Sequence, residues 1–191
     1  MSDGGRGRGS HWRIAGWTAA ALLLLLPLVA MQLTDEVNWT KTDFVFASAL
    51  IVGTGAAFEL AVRMTNNNAY RAGVGVALAA TFLLIWINAA VGIIGSEDNP
   101  ANLMFGGVLA VGIIAAVLAR FQPDGMARAL FATALAQALV TMIAAIARMG
   151  YPASPPLEIL GINTLFVALW LVSALLFRKA ARGAISRGDS T

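Results

Sequence analysis

Six apolar runs, each close to the length that crosses a bilayer and separated by only a few residues, leave this chain no soluble fold. They cover roughly residues 14–33, 43–62, 72–95, 101–119, 127–147 and 157–177, each near the ~20 residues that span ~30 Å of hydrocarbon as a helix. Only 12% of the 191 residues are charged, about half the share of a soluble domain. The predicted fold is an all-α polytopic transmembrane bundle of six spans, a single domain over 14–178 between basic tails at 1–13 and 179–191 that are expected to be mobile.

Charge sets the expected orientation. Eleven of the thirteen basic residues fall on one side: Arg6, Arg8 and Arg13 before the first run, Arg63 and Arg71 at the second loop, Arg120 and Arg128 at the fourth, and Arg178, Lys179, Arg182 and Arg187 after the last. Lys41 and Arg148 alone fall on the other. By the positive-inside rule both termini are cytoplasmic, as expected of a multi-pass membrane protein with an even number of spans. The spread of basic residues by side, rather than on one element, argues against nucleic acid as a partner. The first run follows arginines as a signal peptide would, but about twenty apolar residues exceed the usual secretory core, so a span is expected.

Several chemistries drop out. The chain has no cysteine, which excludes disulfides and thiolate-metal sites. Its only histidine, His11, lies in the N-terminal tail, which disfavours a haem or His-ligated metal inside the bundle. Lys179 lies beyond the last span, which disfavours a retinal Schiff base. No cofactor is predicted beyond calcium at the outer face.

On that face Asp43, Glu97, Asp98 and Glu158 form a candidate acidic rim with Arg148 among them. Hard carboxylate oxygens suit calcium, and Arg148 offers an internal counter-ion. Inside the spans, Thr133, Gln137, Thr141 and Arg148 recur on one helical face at spacings of four, four and seven. Such side chains are costly in lipid and are expected to face the bundle interior, bonded to other helices or lining a polar cavity. Asn88 and Asn163 lie at similar depth, which allows them to meet. Glu59 is the one carboxylate within a span; with Arg63 four residues on it predicts an ion pair, against a proton or cation relay.

Asn88, Gly92 and Gly95 read as a stripe on the third helix, facing a small-residue ridge of Ala49, Gly53 and Ala57 on the second. Asn99-Pro100-Ala101 matches the tripeptide at the half-helix starts of aquaporins. It occurs once, and an Asn cap followed by proline at the first helical position explains it. The segment Glu36-Val37-Asn38-Trp39-Thr40 before Asp43-Phe44, with the stretch from Gly92 to Leu103, resembles a group of small polytopic inner-membrane proteins of bacteria described as hypothetical. The resemblance implies fold and location and transfers no activity.

Two functions are carried forward. One is a small-molecule or ion binding or transport module with a polar interior open to the periplasm, built from Asn88, Thr133, Gln137, Thr141, Asn163 and Glu59. The other is a non-catalytic accessory subunit, or a homo-oligomer, held to partners in the bilayer by its small-residue ridges. No paired carboxylate within a span and no nucleophile–base arrangement is readable, so an enzyme ranks lowest.

Overall fold

A computed structural model describes residues 6–34 and 38–188, with side chains over 16–18, 20–34 and 38–183. Among these residues six helices are long and apolar enough to cross a membrane: α1 (Arg6–Leu33), α2 (Lys41–Met64), α3 (Asn68–Ala90), α4 (Met104–Leu118), α5 (Pro123–Ile146) and α6 (Pro156–Gly188). A 3-10 turn, Pro100–Leu103, leads into α4. The terminal helices reach well into the segments expected to be tails, because α1 begins at Arg6 and α6 ends at Gly188.

The chain divides into two compact units, Met1–Gly55 and Ala56–Thr191. In the first, α2 starts on a reciprocal cap. The Asp43 carboxylate accepts from the Thr40 N–H at 2.7 Å and its hydroxyl at 2.8 Å, the arrangement by which a capping box satisfies open helix ends. The Trp17 ring lies against Gly55, where an added Cβ would sit 3.3 Å from it.

In the second unit α6 is the central helix, packed on both α5 and α3, while α4 packs on α5. Ile159, Asn163, Phe166, Trp170, Ser173, Phe177 and Ala180 form its buried face, at alternating spacings of four and three. Met126, Leu130, Thr133, Gln137, Thr141 and Ala144 form the buried face of α5, also at spacings of three and four. This repeat keeps one face toward a neighbour along its whole length, as in left-handed helix packing. α3 packs on α6 rather than on α4, the helix that follows it in the chain. Gly73 is the reason: an added Cβ would lie 3.1 Å from Phe177, so the bare backbone admits α6 closely enough for the Ser173 hydroxyl to donate to the Gly73 carbonyl at 2.7 Å. The outer surface is apolar, with Leu118 and Ile146 both 78% exposed, while amides and hydroxyls lie inside, the inverse of a water-soluble bundle.

The third span corrects the sequence. Apolar residues run to Gly95, but α3 ends at Ala90 and residues 91–99 fold as an ordered loop. Gly92 and Gly95 adopt φ of 71° and 78°, a left-handed backbone that glycine adopts at no steric cost. They therefore share no helical face with Asn88, and the stripe that was to receive the α2 ridge does not exist. Ala49, Gly53 and Ala57 are exposed. The fourth loop also shifts. Arg120 and Phe121 take the left-handed conformation at φ 47° and 56°, Pro123 opens α5, and Asp124 and Gly125 are already helical.

Candidate functional site

The buried polar face of α5 closes on α6. Asn163 lies one turn beyond Ile159 and donates its amide N–H to the Ile159 carbonyl at 2.7 Å, which turns its Oδ1 toward α5. Gln137 must then present its nitrogen, and Nε2 donates to Asn163 Oδ1 at 2.6 Å. Both residues are 0% exposed, so no water-sized passage touches them. Thr133 and Thr141 bond back to the carbonyls of Ala129 and Gln137 at 2.9 and 2.7 Å. Such local bonds satisfy hydroxyls without a partner helix. The predicted stripe is thus a sealed junction at Gln137, with only Gln137 Oε1 left unpartnered on that side chain.

Gln137→Leu is expected to cost roughly 0.6–2 kcal/mol, the range for hydrogen bonds between membrane helices, while Leu135→Ile on the exposed face costs nothing measurable. Unfolding in mixed detergent checks both. Equal stability of wild type and Gln137→Leu would mean that the amide pair contributes nothing.

The remaining predicted residues lie apart from this junction. Asn88 does not meet Asn163; its amide donates to the Asn102 carbonyl at 3.2 Å. Glu59 accepts from Arg63 at 3.0 Å, the predicted ion pair. Arg148 lies past the end of α5 at φ 50°, so it leaves the helical stripe. Asp43, Glu97, Asp98, Glu158 and Arg148 are all exposed. Among the described residues Arg148 makes no ion pair with them, and no three acidic or histidine side chains gather as a metal-holding group.

Asn102, in the 3-10 turn that Asn99 caps, organises one end of the second unit. At 5% exposure its Oδ1 accepts from the N–H groups of Ile93 and Ile94 at 3.1 and 2.9 Å. Its Nδ2 donates to the Ser96 carbonyl at 2.7 Å. Asn99 caps the 3-10 turn by accepting from the Ala101 N–H, as expected, and its amide also reaches the Met149 carbonyl at 2.9 Å. Ser154 accepts from the Gly95 N–H at 3.2 Å. The 91–99 and 147–155 loops are thereby tied into one plug.

At the opposite, basic end the unit opens. A cavity of about 720 Å³ is walled by Leu60 and Met64 at the end of α2, by α3 through Ala77 and Thr81, by α4 through Gly112 and Ala116, and by α5 through Leu130 and Thr133. Trp170 stands in its wall, 2% exposed, with an unpartnered indole N–H. Arg120, Phe121 and Gln122 line it at the α4–α5 turn, where the Tyr70 hydroxyl donates to the Phe121 carbonyl at 2.8 Å. Hydropathy windows carry no signal for such a cavity, but the four–three repeat of α6 marks Trp170 and Ser173 as interior.

Six spanning-length helices with an apolar exterior and bonded interior amides define a multi-pass helical membrane protein. No protein-family model matches the chain, and no curated protein or solved structure matches it, so no family is assigned.

Proposed function

We propose that this protein is a binding module of a bacterial inner membrane that takes up an apolar-bodied small molecule at its cytoplasmic end. The observation that carries this is the 720 Å³ cavity. Its size falls within the range of small-molecule sites, and its chemistry is theirs as well: mostly aliphatic and aromatic walls with a few polar groups. Thr133 and the Trp170 N–H supply these at depth, and Arg120 at the turn. The sealed Gln137–Asn163 pair favours this end over a polar path from the periplasm. Exposed Leu60, Met64 and Ile113 on the rim favour access from the hydrocarbon.

Ala77→Phe puts a ring into the cavity. Native mass spectrometry from mild detergent is expected to show a small molecule retained by wild type and lost from Ala77→Phe, with unchanged melting. An identical bound species in both proteins would place the ligand elsewhere and refute the site.

The orientation rests on the eleven-to-two basic count. On this cysteine-free background, a cysteine at Ser96 is expected to react with an impermeant thiol reagent applied from the periplasm, and one at Ser186 only after lysis. The reverse pattern inverts the topology. A second function, assembly with a partner helix, is favoured by the exposed α2 ridge, where a Cβ at Gly53 would meet nothing within 4 Å.

A further inference from the structure

The large cavity adjoins a smaller one of about 370 Å³, and the two share Thr65, Tyr70 and Pro123 in their walls. Asn66 and Asn67 line the smaller one, which makes its surface polar where the larger is apolar. Its Asn and Thr side-chain oxygens already accept hydrogen bonds. Asn67 Oδ1 accepts from the N–H groups of Ala69 and Tyr70, Asn66 Oδ1 from Arg71 at 3.2 Å, Thr65 Oγ1 from the Asn67 N–H at 3.1 Å, and the Thr65 carbonyl from Arg71 at 2.7 Å. On the Thr65 and Asn66 side chains the groups left to bond a ligand are donors, the Thr65 O–H and the Asn66 amide N–H groups.

The charges agree. Arg120 lines the adjoining cavity and Arg71 is bonded to Thr65 and Asn66. Among the described residues no carboxylate lines either cavity, and those in the flanking segments are engaged, Asp124 by Arg128 at 2.9 Å and Glu59 by Arg63 at 3.0 Å. Donors and guanidinium groups without a competing acid select an anionic, phosphate-type group. Depth specifies the rest. From Pro123 to Thr133 the α5 wall rises about 15 Å, half of a ~30 Å hydrocarbon core, which is the depth of one leaflet.

We propose that the two adjoining cavities hold one anionic phospholipid, its headgroup at Thr65, Asn66 and Arg120 and an acyl chain along α3, α4 and α5 toward Thr133 and Trp170. This rests on the binding role proposed above and names its ligand class. The cytoplasmic leaflet, where the positive-inside rule puts these arginines, is the leaflet that presents anionic lipid.

The test uses the full chain in nanodiscs of phosphatidylcholine, with Trp12, Trp17, Trp39 and Trp86 replaced by Phe so that Trp170 alone fluoresces. Trp170 is 2% exposed, so an acyl-chain bromine quenches it only from within the cavity. Brominated phosphatidylglycerol is expected to quench at about fivefold lower mole fraction than brominated phosphatidylcholine, the factor one surface-proximal arginine supplies. Arg120→Gln removes the difference and Arg120→Lys keeps it. Thr65→Val, which deletes a donor without altering charge, weakens it as a second variant if Arg120→Gln melts early. Equal quenching by the two lipids overturns the headgroup assignment and leaves the binding role standing. Absence of quenching by either overturns both. Quenching by phosphatidylglycerol that fades as the protein-to-lipid ratio rises signals a second copy in the cavity and overturns the lipid as occupant.

Discussion

Asn102→Leu is expected to destabilise the fold by about 3 kcal/mol. The leucine keeps the bulk but orphans the N–H groups of Ile93 and Ile94, which the Asn102 carbonyl oxygen holds at 3.1 and 2.9 Å. A buried donor left without a partner costs ~1–3 kcal/mol. Ile93 and Ile94 are 4% and 0% exposed, so water does not replace the lost acceptor unless the loop opens. Asn102→Asp keeps the two acceptor bonds and loses the Nδ2 donations to the Ser96 and Ile94 carbonyls, and is expected to fall between. Denaturant titration in detergent gives both values. A leucine variant as stable as wild type would show that the loop is held by its isoleucines alone.

Gly92→Ala is expected to cost at least as much by a different route. At φ 71° the added Cβ would stand 2.4 Å from the main-chain carbonyl of Ser96, so the loop must move and not merely a side chain. The left-handed backbone itself costs roughly 1–2 kcal/mol for a residue with a Cβ, and displacing a close-packed segment adds a comparable amount. Gly53→Ala is the control: its Cβ meets nothing within 4 Å, and alanine is favoured over glycine within a helix by ~0.5–1 kcal/mol. Because Gly92 and Asn102 stabilise the same loop, the double variant is expected to lose less than the sum of the two. Strict additivity would mean that they act on separate structures.

Hydrophobic length carries the number of helices and their approximate bounds, since a segment in hydrocarbon has few ways to satisfy its backbone. It fails at residues 91–95 for an equally physical reason. Ile93 and Ile94 are as apolar in a buried loop as in a helix, and what differs is that a side chain nine residues from Ile93, Asn102, accepts their N–H bonds. The interior placement of Thr133, Gln137, Thr141 and Asn163 was legible, because polar groups at helical spacing in an apolar run have nowhere else to go. Their partners were not. Asn88 and Asn163 share a depth, but depth along the membrane says nothing of which helix stands beside which.

The amino-acid sequence alone therefore determined the class of this protein, its six spans, the Glu59–Arg63 pair, the Asn99 cap and the inward-facing polar side chains. All follow from the length of apolar runs and from contacts within a few residues. Tertiary structure decided that α3 stands against α6, that Gln137 meets Asn163 in a sealed junction, that residues 91–99 form a plug, and that a cavity opens at the basic end. Each of these depends on how closely two backbones approach, which is set at Gly73 by the absent side chain meeting Phe177 from a helix a hundred residues away.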